Sequence, residues 1–592
     1  VTAPDNELAI GASVQVKEHL RTGAMVGVDG TFKLTVPANA KHLRVSYVGY
    51  LTVEVPIKDN MKIVLEPVDK TLTGLTKIDK RLFTGASAKL GGDKTKLDGV
   101  PDAARALEGR AAGVSVQNVS GTFGTAPKIR VRGATSIYGS SKPLWVVDGV
   151  IMEDVSNVGA DDLASGNPET LISSAIAGLN ADDIESFQVL KDGSATSIYG
   201  ARAMAGVIVV TTKKGKQGQA HFNYTGEFTT RMIPSYRNFD ILNSQQQMGI
   251  YRELKEKGWL NLSEVLNGSD YGVYGKMYEL INTYDPKSKT FALANSIEAQ
   301  NAYLQTAEKR NTNWFQELFS PAIMQTHSVS MSGGTAKSNY YASASALLDP
   351  GWYKQSQVKR YTANLNMTQQ LIKGLSLNLI AGASYRNQRA PGTLGQDVDV
   401  VGGEVKRDFD INPYSYATNP SRVLDPRTYY VANYAPFNIF NELENNFIDL
   451  NVLDAKFQAE LRYKPIRGLE LSLLGAFKHT AASQQHNIRD NSNQALAYRA
   501  MSNGIIRESN KYLYRDPDRP YDLPMSVLPY GGIMHKAENR MSNYDFRATA
   551  NYSRTFGSHT LNLFGGLETT DIQRNRTAFE GWGLQYLGGE TP

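Results

Sequence analysis

The 592-residue sequence contains no cysteine. This absence excludes a disulfide framework, a cysteine-ligated zinc site and a thiol nucleophile. The sequence also lacks any run of 18 apolar residues, so we expect no transmembrane helix. Its formal net charge is only +5, too little over this length to indicate a nucleic-acid partner. The opening VTAPDNELAIGASV shows no basic and then apolar leader, so we expect any signal peptide to have been removed.

Several sequence motifs of enzymes are also missing. There is no GxxxxGK[ST] phosphate loop, no HExxH zinc motif and no GxSxG nucleophile turn. The eight histidines are scattered along the chain. We therefore expect neither an enzyme nor a resident cofactor.

The first part of the chain divides into three regions. Residues 1–67 hold short alternating segments with turn signals between them: ASVQVK, TFKLTV, LRVSYVGY, LTVEVPI and MKIVLEP. This pattern predicts a small β-sandwich. Residues 68–95 are a linker of mixed charge. Residues 96–218 combine the helical stretch DAARALEGRAA with short apolar strands that end at glycines, which predicts an α/β unit.

From residue 219 the pattern changes to long polar and apolar alternation. In LDAKFQAELRYK, for example, one face is apolar from Leu453 to Tyr463 and the other is polar from Asp454 to Lys464. About nine such segments of roughly ten residues occur, long enough for tilted strands to cross a bilayer.

The connections between these segments alternate in length. Short turns follow some strands, and long insertions at 232–323, 387–451 and 481–542 follow others. This asymmetry favours an outer-membrane barrel over a soluble β-sandwich. Because nine antiparallel strands do not close, we expect the rest of the barrel to lie elsewhere.

Specific stretches in the third and first regions resemble a known family. IRVRG, PLWVVDGV and DDIESFQVLKDGSATSIYGARAMAGVIVVTTKKG resemble the plug of TonB-dependent outer-membrane transporters. GASVQVK, GVDGTFKLTVP and LRVSYVGY resemble a carboxypeptidase-regulatory-like domain, which together with the plug looks like the SusC-like branch of the Bacteroidetes. The resemblance implies a mostly β fold: this small domain at 1–67, an energy-coupling linker at 68–95, a plug at 96–218 and an incomplete antiparallel transmembrane β-barrel at 219–592.

The resemblance also implies a function. It implies active import of a bulky nutrient, with an oligosaccharide as the leading substrate, across the outer membrane and its lipid bilayer. The partners would be the TonB energy-transducing complex and a surface-exposed SusD-like lipoprotein lid, with the transporter–lipoprotein pair forming a dimer. The alternatives are a peptide importer of the same family and a non-transporting surface barrel or adhesin.

This sequence departs from the family's pattern in the energy-coupling region. The family carries a valine-rich coupling segment between its first domain and its plug. Here that region instead reads Thr71, Leu72, Thr73, Gly74 and Leu75. The segment is therefore either divergent or lost.

The hexapeptide ATSIYG occurs twice, at 134–139 and 195–200. Glycines bracket both copies and suit tight turns. By resemblance the first copy is an apical plug loop that can face substrate, and we interpret the second as a packing element. The alternative is that both copies only turn and pack.

The substrate site is expected where the plug apex meets the outer loops, because a hydroxyl-rich ligand needs planar hydrogen-bonding groups and aromatic faces. The candidates are Ser136, Tyr138, Ser140, Ser141, Lys142, Glu153, Asp154, Arg389, Asp397, Asp399, Asp408 and Asp410. The alternatives are solvated loop charges and, for the acidic pairs, calcium ligands or glycosidase carboxylates.

A second set of candidates would hold the plug in place. We expect one plug sheet with strands around Ile129–Arg132, Trp145–Asp148, Ser186–Leu190 and Val207–Thr211. Its cations would pair with lumen carboxylates such as Glu460. These plug cations are Arg130, Arg132 and Lys191.

Overall fold

A computed structural model describes residues 1–2, 9, 11–27, 29–37, 39–47, 53–65, 70–72, 77–79, 87–92, 96, 99–100, 103–117, 127–131, 142–154, 176–192, 196–392, 397–399, 404–406, 408–466, 468–556 and 559–586. At 70–72, 77–79, 397–399 and 404–406 only the backbone is described. No helix in these ranges is long and apolar enough to cross a membrane. Strands are numbered β1 to β28 in chain order.

The N-terminal domain is built on a four-stranded antiparallel sheet of order β2-β1-β3-β4. The strands are β1 Ser13–Val16, β2 His19–Met25, β3 His42–Ser46 and β4 Val53–Pro56. The predicted strand TFKLTV does not pair; instead Phe32, Leu34 and Val36 pack on the buried face of the sheet. The sequence analysis missed β2, because its polar HLRTGAM lacks a regular apolar alternation.

The linker contains a short hairpin. Strand β5, Lys70–Leu72, pairs with β6, Lys77–Asp79. Thr71 and Leu72 of the coupling region therefore lie in β5, whereas Thr73, Gly74 and Leu75 lie outside the described residues.

The plug centres on a five-stranded sheet of order β11-β10-β13-β12-β7. Its strands are β7 Ser87–Gly91, β10 Leu144–Val147, β11 Val150–Met152, β12 Ile184–Leu190 and β13 Val207–Thr212. Only β10 and β13 run parallel. The prediction that the plug begins at residue 96 was wrong, because β7 lies within residues 68–95, which were predicted to be the linker. An edge strand needs few branched residues, so SAKLG gave little signal.

One predicted plug strand belongs elsewhere. β9, Lys128–Val131, pairs with β8, Val114–Gln117, in a separate two-stranded ladder. The prediction of a single sheet that includes Ile129–Arg132 was therefore wrong. Its apolar side chains explain the error, since Ile129 and Val131 pack into the same core as Ile208 of β13. The plug also contains 3₁₀ helices at Ala103–Leu107, Ala181–Asp183 and Ser197–Ala203.

Nine long antiparallel strands form one continuous curved sheet, as the alternation predicted. They are β14 Gly218–Thr230, β17 Ile323–Gly334, β18 Ser338–Asp349, β19 Gln357–Ile372, β20 Leu375–Pro391, β25 Asn446–Tyr463, β26 Leu469–Ile488, β27 Gly532–Phe556 and β28 His559–Leu584. Neighbours pair in chain order, and β14 and β28 are the edges. The strands are 12 to 26 residues long, so the estimate of roughly ten was too short.

The outward face of this sheet carries an apolar band. On β25 the odd-numbered side chains from Leu453 to Tyr463 point outward, and Leu453, Phe457 and Tyr463 are exposed. Ten residues span about 34 Å of strand, or about 24 Å of height at a tilt of about 45°, which matches a bilayer core. Beyond Leu453 the outward positions turn polar at Asn451 and Asp449. The strands therefore continue past the membrane.

The long connections fold into a layer of short helices. These are Ser244–Glu256, Leu262–Asn267, Val273–Asn282, Ile297–Arg310, Trp314–Leu318, Pro413–Thr418, Ile439–Asn445, Asn493–Ala497 and Gly504–Ser509. A 3₁₀ turn occurs at Tyr236–Asn238. Asparagine side chains cap several helix starts, as Asn243 does with a full capping box.

The same connections contain three short hairpins and their own apolar cores. The hairpins pair β15 Tyr284–Asp285 with β16 Thr290–Phe291, β21 Asp397–Asp399 with β22 Glu404–Lys406, and β23 Tyr430–Ala432 with β24 Ala435–Phe437. Trp314 and Phe315 are fully buried against Ile439 and Leu443, so the first and second long connections share a core. The layer is thus a packed structure on one end of the barrel.

Candidate functional site

The turn between β10 and β11 forms the contact point of the plug with the barrel wall. Asp148 and Gly149 both have positive φ, 52° and 87°, the conformation for which Asp-Gly is favoured in two-residue hairpins. The Asp148 carboxylate accepts hydrogen bonds from the backbone N–H and the hydroxyl of Thr212, at 2.9 and 2.8 Å. The turn is therefore fixed to β13 while its carbonyl groups point outward.

Three consecutive carbonyl groups of this hairpin accept hydrogen bonds from the barrel wall. The donors are Lys456 Nζ to Val147 O at 2.9 Å, Gln458 Nε2 to Asp148 O at 3.0 Å, and Arg547 Nη2 to Gly149 O at 2.7 Å. The wall thus holds the plug by its backbone. The sequence analysis placed Lys456 and Gln458 on the polar face of their strand but did not identify their role. The plug sequence VVDG, which is typical of a tight turn, was the signal from which this contact could have been predicted.

The plug is also attached to β14, the first strand of the wall, by charge. Lys96 Nζ lies 2.7 Å from Asp182 Oδ1 of the plug and 3.2 Å from Glu227 Oε2 of β14. The Gly99 N–H donates to Glu227 Oε1 at 2.5 Å. Burial would lower the pKa of Lys96, but its bonds to the two carboxylates outweigh burial and raise the pKa. This ammonium therefore bridges plug and wall.

Between these attachments, Asp183 is a buried plug carboxylate held by uncharged wall groups. Tyr341 Oη donates to its Oδ1 at 2.8 Å, and Asn364 Nδ2 donates to Oδ2. Burial raises the pKa of the carboxyl group, against the hydrogen bonds that lower it. A cavity of about 70 Å³ opens beside Asp183, between the plug and the wall.

The predicted pairing of Arg130 and Lys191 with Glu460 was wrong. Glu460 is occupied within the barrel, where Arg462 binds both of its oxygens at 2.7 Å. Lys191 donates to the carbonyl oxygen of Ala112 inside the plug. Arg130 lies half-buried on β9. Arg132 lies outside the described residues.

The described candidates at the plug apex are engaged in ion pairs. Glu153 lies 3.0 Å from Arg574 of β28 and 3.9 Å from Arg202. Lys142 Nζ lies 3.5 Å from Asp154 Oδ2. Burial raises the pKa of Asp154, with Lys142 opposing it. The other apex candidates, Ser136, Tyr138, Ser140 and Ser141, lie outside the described residues.

Arg389 does not face the lumen. It shares the outward face of β20 with Tyr385, pairs with Asp449 at 2.7 and 2.9 Å, and stacks 4.2 Å from the ring centre of Phe447. The sequence analysis assigned it to a loop, but β20 continues to Pro391, and strand alternation turns odd-numbered side chains outward.

The acidic loop candidates separate in space. Asp408 binds Lys511 at 2.9 and 3.0 Å, which joins the second long connection to the third. Asp410 Oδ1 accepts from the backbone N–H of Asn412 and supports a turn. Asp397 and Asp399 lie in β21, where only the backbone is described. Among the described residues, no three or more His, Asp or Glu side chains are placed to bind a metal.

The second ATSIYG copy packs, as interpreted from the sequence. Tyr199 is buried against Val146, Leu190 and Val207. Gly200 has a φ of 63°, which a residue with a side chain adopts only under strain. The first copy lies outside the described residues.

Comparison with known proteins agrees with this architecture. Residues 1–73 match the CarboxypepD_reg-like domain and residues 79–207 match the TonB-dependent Receptor Plug Domain. The TonB-dependent receptor SusC of Bacteroides thetaiotaomicron is 31% identical over 61% of this chain and 31% of its own length. The TonB-dependent receptor P3 of Formosa agariphila is 26% identical over 98% of this chain and 48% of its own.

A solved structure shares the fold. The RagAB peptide transporter superposes with a TM-score of 0.59 and 20% identity, over 88% of this chain and 50% of that chain. The chain therefore spans between about a third and a half of these relatives' length. The two domain matches, the SusC likeness and the plug inside a curved antiparallel sheet agree. These findings support a SusC-like TonB-dependent receptor of the bacterial outer membrane.

Proposed function

We propose that this chain is part of an active importer that moves a bulky nutrient across the outer membrane. The observation that carries the proposal is the way the plug is held. Its hairpin carbonyls bind Lys456, Gln458 and Arg547 through single hydrogen bonds, each of which contributes only about 0.5–3 kcal/mol. The apolar part of this contact is small, Val150 against Leu474 and Ala476, and the hydrogen bonds beside it can be exchanged for water one by one.

Energy for this exchange would come from the TonB complex acting on the linker before β7. Strand β7 is the edge of the plug sheet and pairs only with β12 among the described strands. A pull on the linker therefore reaches the plug through its most accessible strand. The segment Thr71–Leu75 is the proposed contact for TonB, and a surface lipoprotein that closes the outer end is the second proposed partner, with two such pairs forming a dimer.

We propose an oligosaccharide as the cargo. The lumen-facing wall beneath the plug is rich in buried, uncharged hydrogen-bonding side chains, which suit a ligand dense in hydroxyl groups. They include Ser328, Ser343, Ser345, Thr362, Asn366, Asn378 and Ser384. A peptide is the second candidate, because amide groups suit the same lining and the RagAB complex of similar fold is described as a peptide transporter.

Growth of a deletion strain separates these cargoes. The strain is grown on single polysaccharide digests and, separately, on protein digests as the limiting nutrient, with the full-length gene returned as a control. Loss of growth on one digest, restored by the gene, identifies the cargo class. Unchanged growth on every polysaccharide digest would exclude the oligosaccharide proposal, and unchanged growth on all digests would exclude import of either class.

A further inference from the structure

The cavity between plug and barrel marks one stretch of their interface that is incompletely packed. The plug side includes Gly178, Leu179 and the buried Asp183, and the wall side includes Ile380 and Gly382 of β20 and Asn366 of β19. Atoms that line a gap lack contact partners and lose dispersion attraction. The volume of about 70 Å³ is also enough for several water molecules. This stretch is called the seam below.

At the edge of the seam, plug and wall meet through small residues. A Cβ atom on Gly178 would lie 2.5 Å from Ser384 Oγ and 3.4 Å from Ser384 Cβ. The two backbones can approach this closely only because residue 178 is a glycine. Few side-chain atoms therefore have to separate for the seam to widen.

Two of the hydrogen bonds near the seam are of a kind that water replaces readily. Arg360 donates to the carbonyl oxygen of Ala177 at 3.0 Å, and Asn366 donates to that of Lys213 at 3.4 Å. In both, the plug contributes only a neutral carbonyl group. Because Asn366 and Lys213 line the cavity, water has room to replace the bond between them when plug and wall separate.

The attachment to β14 and β17 differs in kind. Lys96 joins Asp182 to Glu227, and all three side chains are only about a fifth to a quarter exposed. Asn180 Nδ2 adds a bond to Ser328 Oγ of β17 at 3.2 Å. To break this side would leave three charged groups partly desolvated and apart, whereas opening at the seam parts one charged plug group, Asp183, from Asn364.

We infer that the translocation path opens along the seam, between Gly178–Leu179 and strands β19, β20 and β25, while the plug stays attached to β14 and β17. This inference rests on the proposed import function and deepens it. The wall exposed on opening presents Asn364, Asn366 and Ser384 together with Asp454, Lys456 and Lys478, so the path suits a chain whose hydroxyl or amide groups can bond to neutral and charged side chains.

These 592 residues contain no cysteine, so an introduced thiol is the only one within them, and the unsubstituted full-length protein gives the labelling background. Ser384→Cys places a thiol in the seam. Ser328→Cys places a matched thiol on β17, where the plug is inferred to stay attached. Both serines are less than a tenth exposed and face the plug. Each variant is made in the full-length protein in cells supplied with both polysaccharide and protein digests. Biotin-maleimide labelling is then measured with and without a protonophore.

We expect energised cells to label Ser384→Cys at least fivefold faster than protonophore-treated cells, and Ser328→Cys to change less than twofold. An equal rise at both positions would overturn the inference, because the plug would then leave as a unit. A rise at Ser328→Cys alone, or no rise at either, would overturn it too. Labelling in urea and outer-membrane abundance show that each variant is folded and its thiol reactive.

A disulfide provides the second measurement. In Gly178→Cys/Ser384→Cys the Cβ atoms lie near the separation that a disulfide spans. We expect oxidation to abolish uptake of the digest that supports growth, and reductant to restore it. Uptake that persists in the oxidised variant places the path elsewhere. Absence of uptake in the wild type, with energised labelling at Ser384→Cys, would instead contradict the import proposal alone.

Discussion

The ammonium group of Lys456 lies 2.9 Å from the carbonyl oxygen of Val147 and so joins strand β25 of the barrel to the hairpin of the plug. Lys456→Met keeps the aliphatic stem but removes the donor, which leaves this carbonyl without its partner. We expect the plug to be destabilised by about 1–3 kcal/mol. The measurement is the urea midpoint at which a protease digests the plug of the purified protein. Lys464→Met, at an exposed surface pair with Glu470, is the control and should shift the midpoint negligibly.

The bridge from Lys96 to Asp182 and Glu227 predicts energetic coupling. Lys96→Met and Glu227→Gln should each lower the same urea midpoint, and the double variant should lower it by less than the sum, with a coupling of about 1 kcal/mol. Because the bridge raises the pKa of Lys96, its stabilisation is complete at neutral pH and is lost only as the pH rises above the usual lysine range. Additive effects would show that the three groups do not act together.

Glu442 predicts a pH dependence in the outer layer. It is almost fully buried on helix Ile439–Asn445, and its Oε1 accepts from the Asn493 N–H at 2.6 Å. Burial raises its pKa to about 7, against hydrogen bonds from Asn493 and Asn441. Since the folded pKa exceeds the unfolded one, ionisation costs stability as the pH rises from about 4.5 to about 7, by about 3 kcal/mol at completion.

Glu442→Gln should therefore protect the layer at pH 8.5 and have little effect at pH 4.5. Hydrogen–deuterium exchange of residues 489–500 measures this protection. Glu444→Gln, at an exposed position on the same helix, is the matched control and should not change exchange at either pH. If Glu442→Gln changed exchange equally at both pH values, the effect would not come from the charge.

The barrel was predictable because its physics is periodic. Alternation from Leu453 to Tyr463 records two different environments, one apolar and one polar, and needs no long-range information. The ends of the strands were not predictable in this way, since polar side chains occupy both faces beyond the membrane. That is why Arg389 was assigned to a loop although it lies on a strand.

The attachment of the plug shows the second limit of the sequence. The Asp-Gly turn at 148–149 follows from local chemistry, but its partners Lys456 and Arg547 are about 300 and 400 residues away. Charge alone suggested Glu460 as a wall partner of the plug cations, whereas Arg462 of the same strand binds this carboxylate. Local patterns thus fix turns and faces, and the packing of the plug in the barrel decides which groups meet.

The proposed ligand site predicts a loss of affinity in a double variant. Tyr138→Ala/Asp408→Ala removes an aromatic face from the first ATSIYG loop and a carboxylate from the outer layer. We expect ligand binding to weaken at least tenfold, about 1.4 kcal/mol. Titration calorimetry with the digest fraction that supports growth measures this. Lys511→Ala removes the partner of Asp408 and controls for disruption of the loop; an unchanged affinity in the double variant would move the site to the partner protein.

The final prediction concerns the coupling region. If a valine-rich coupling segment is lost near Thr73, the protein should bind ligand and lipoprotein normally but transport poorly, and insertion of such a segment should restore uptake. If Thr71–Leu75 itself serves as the contact, uptake is already normal. Leu72→Pro should then abolish uptake, because proline removes a backbone donor that strand pairing with TonB requires. Surface binding of cargo should be unchanged in Leu72→Pro. Lys58→Pro, outside the coupling region, is the control, and equal losses in both variants would show that the substitution acts through folding rather than coupling.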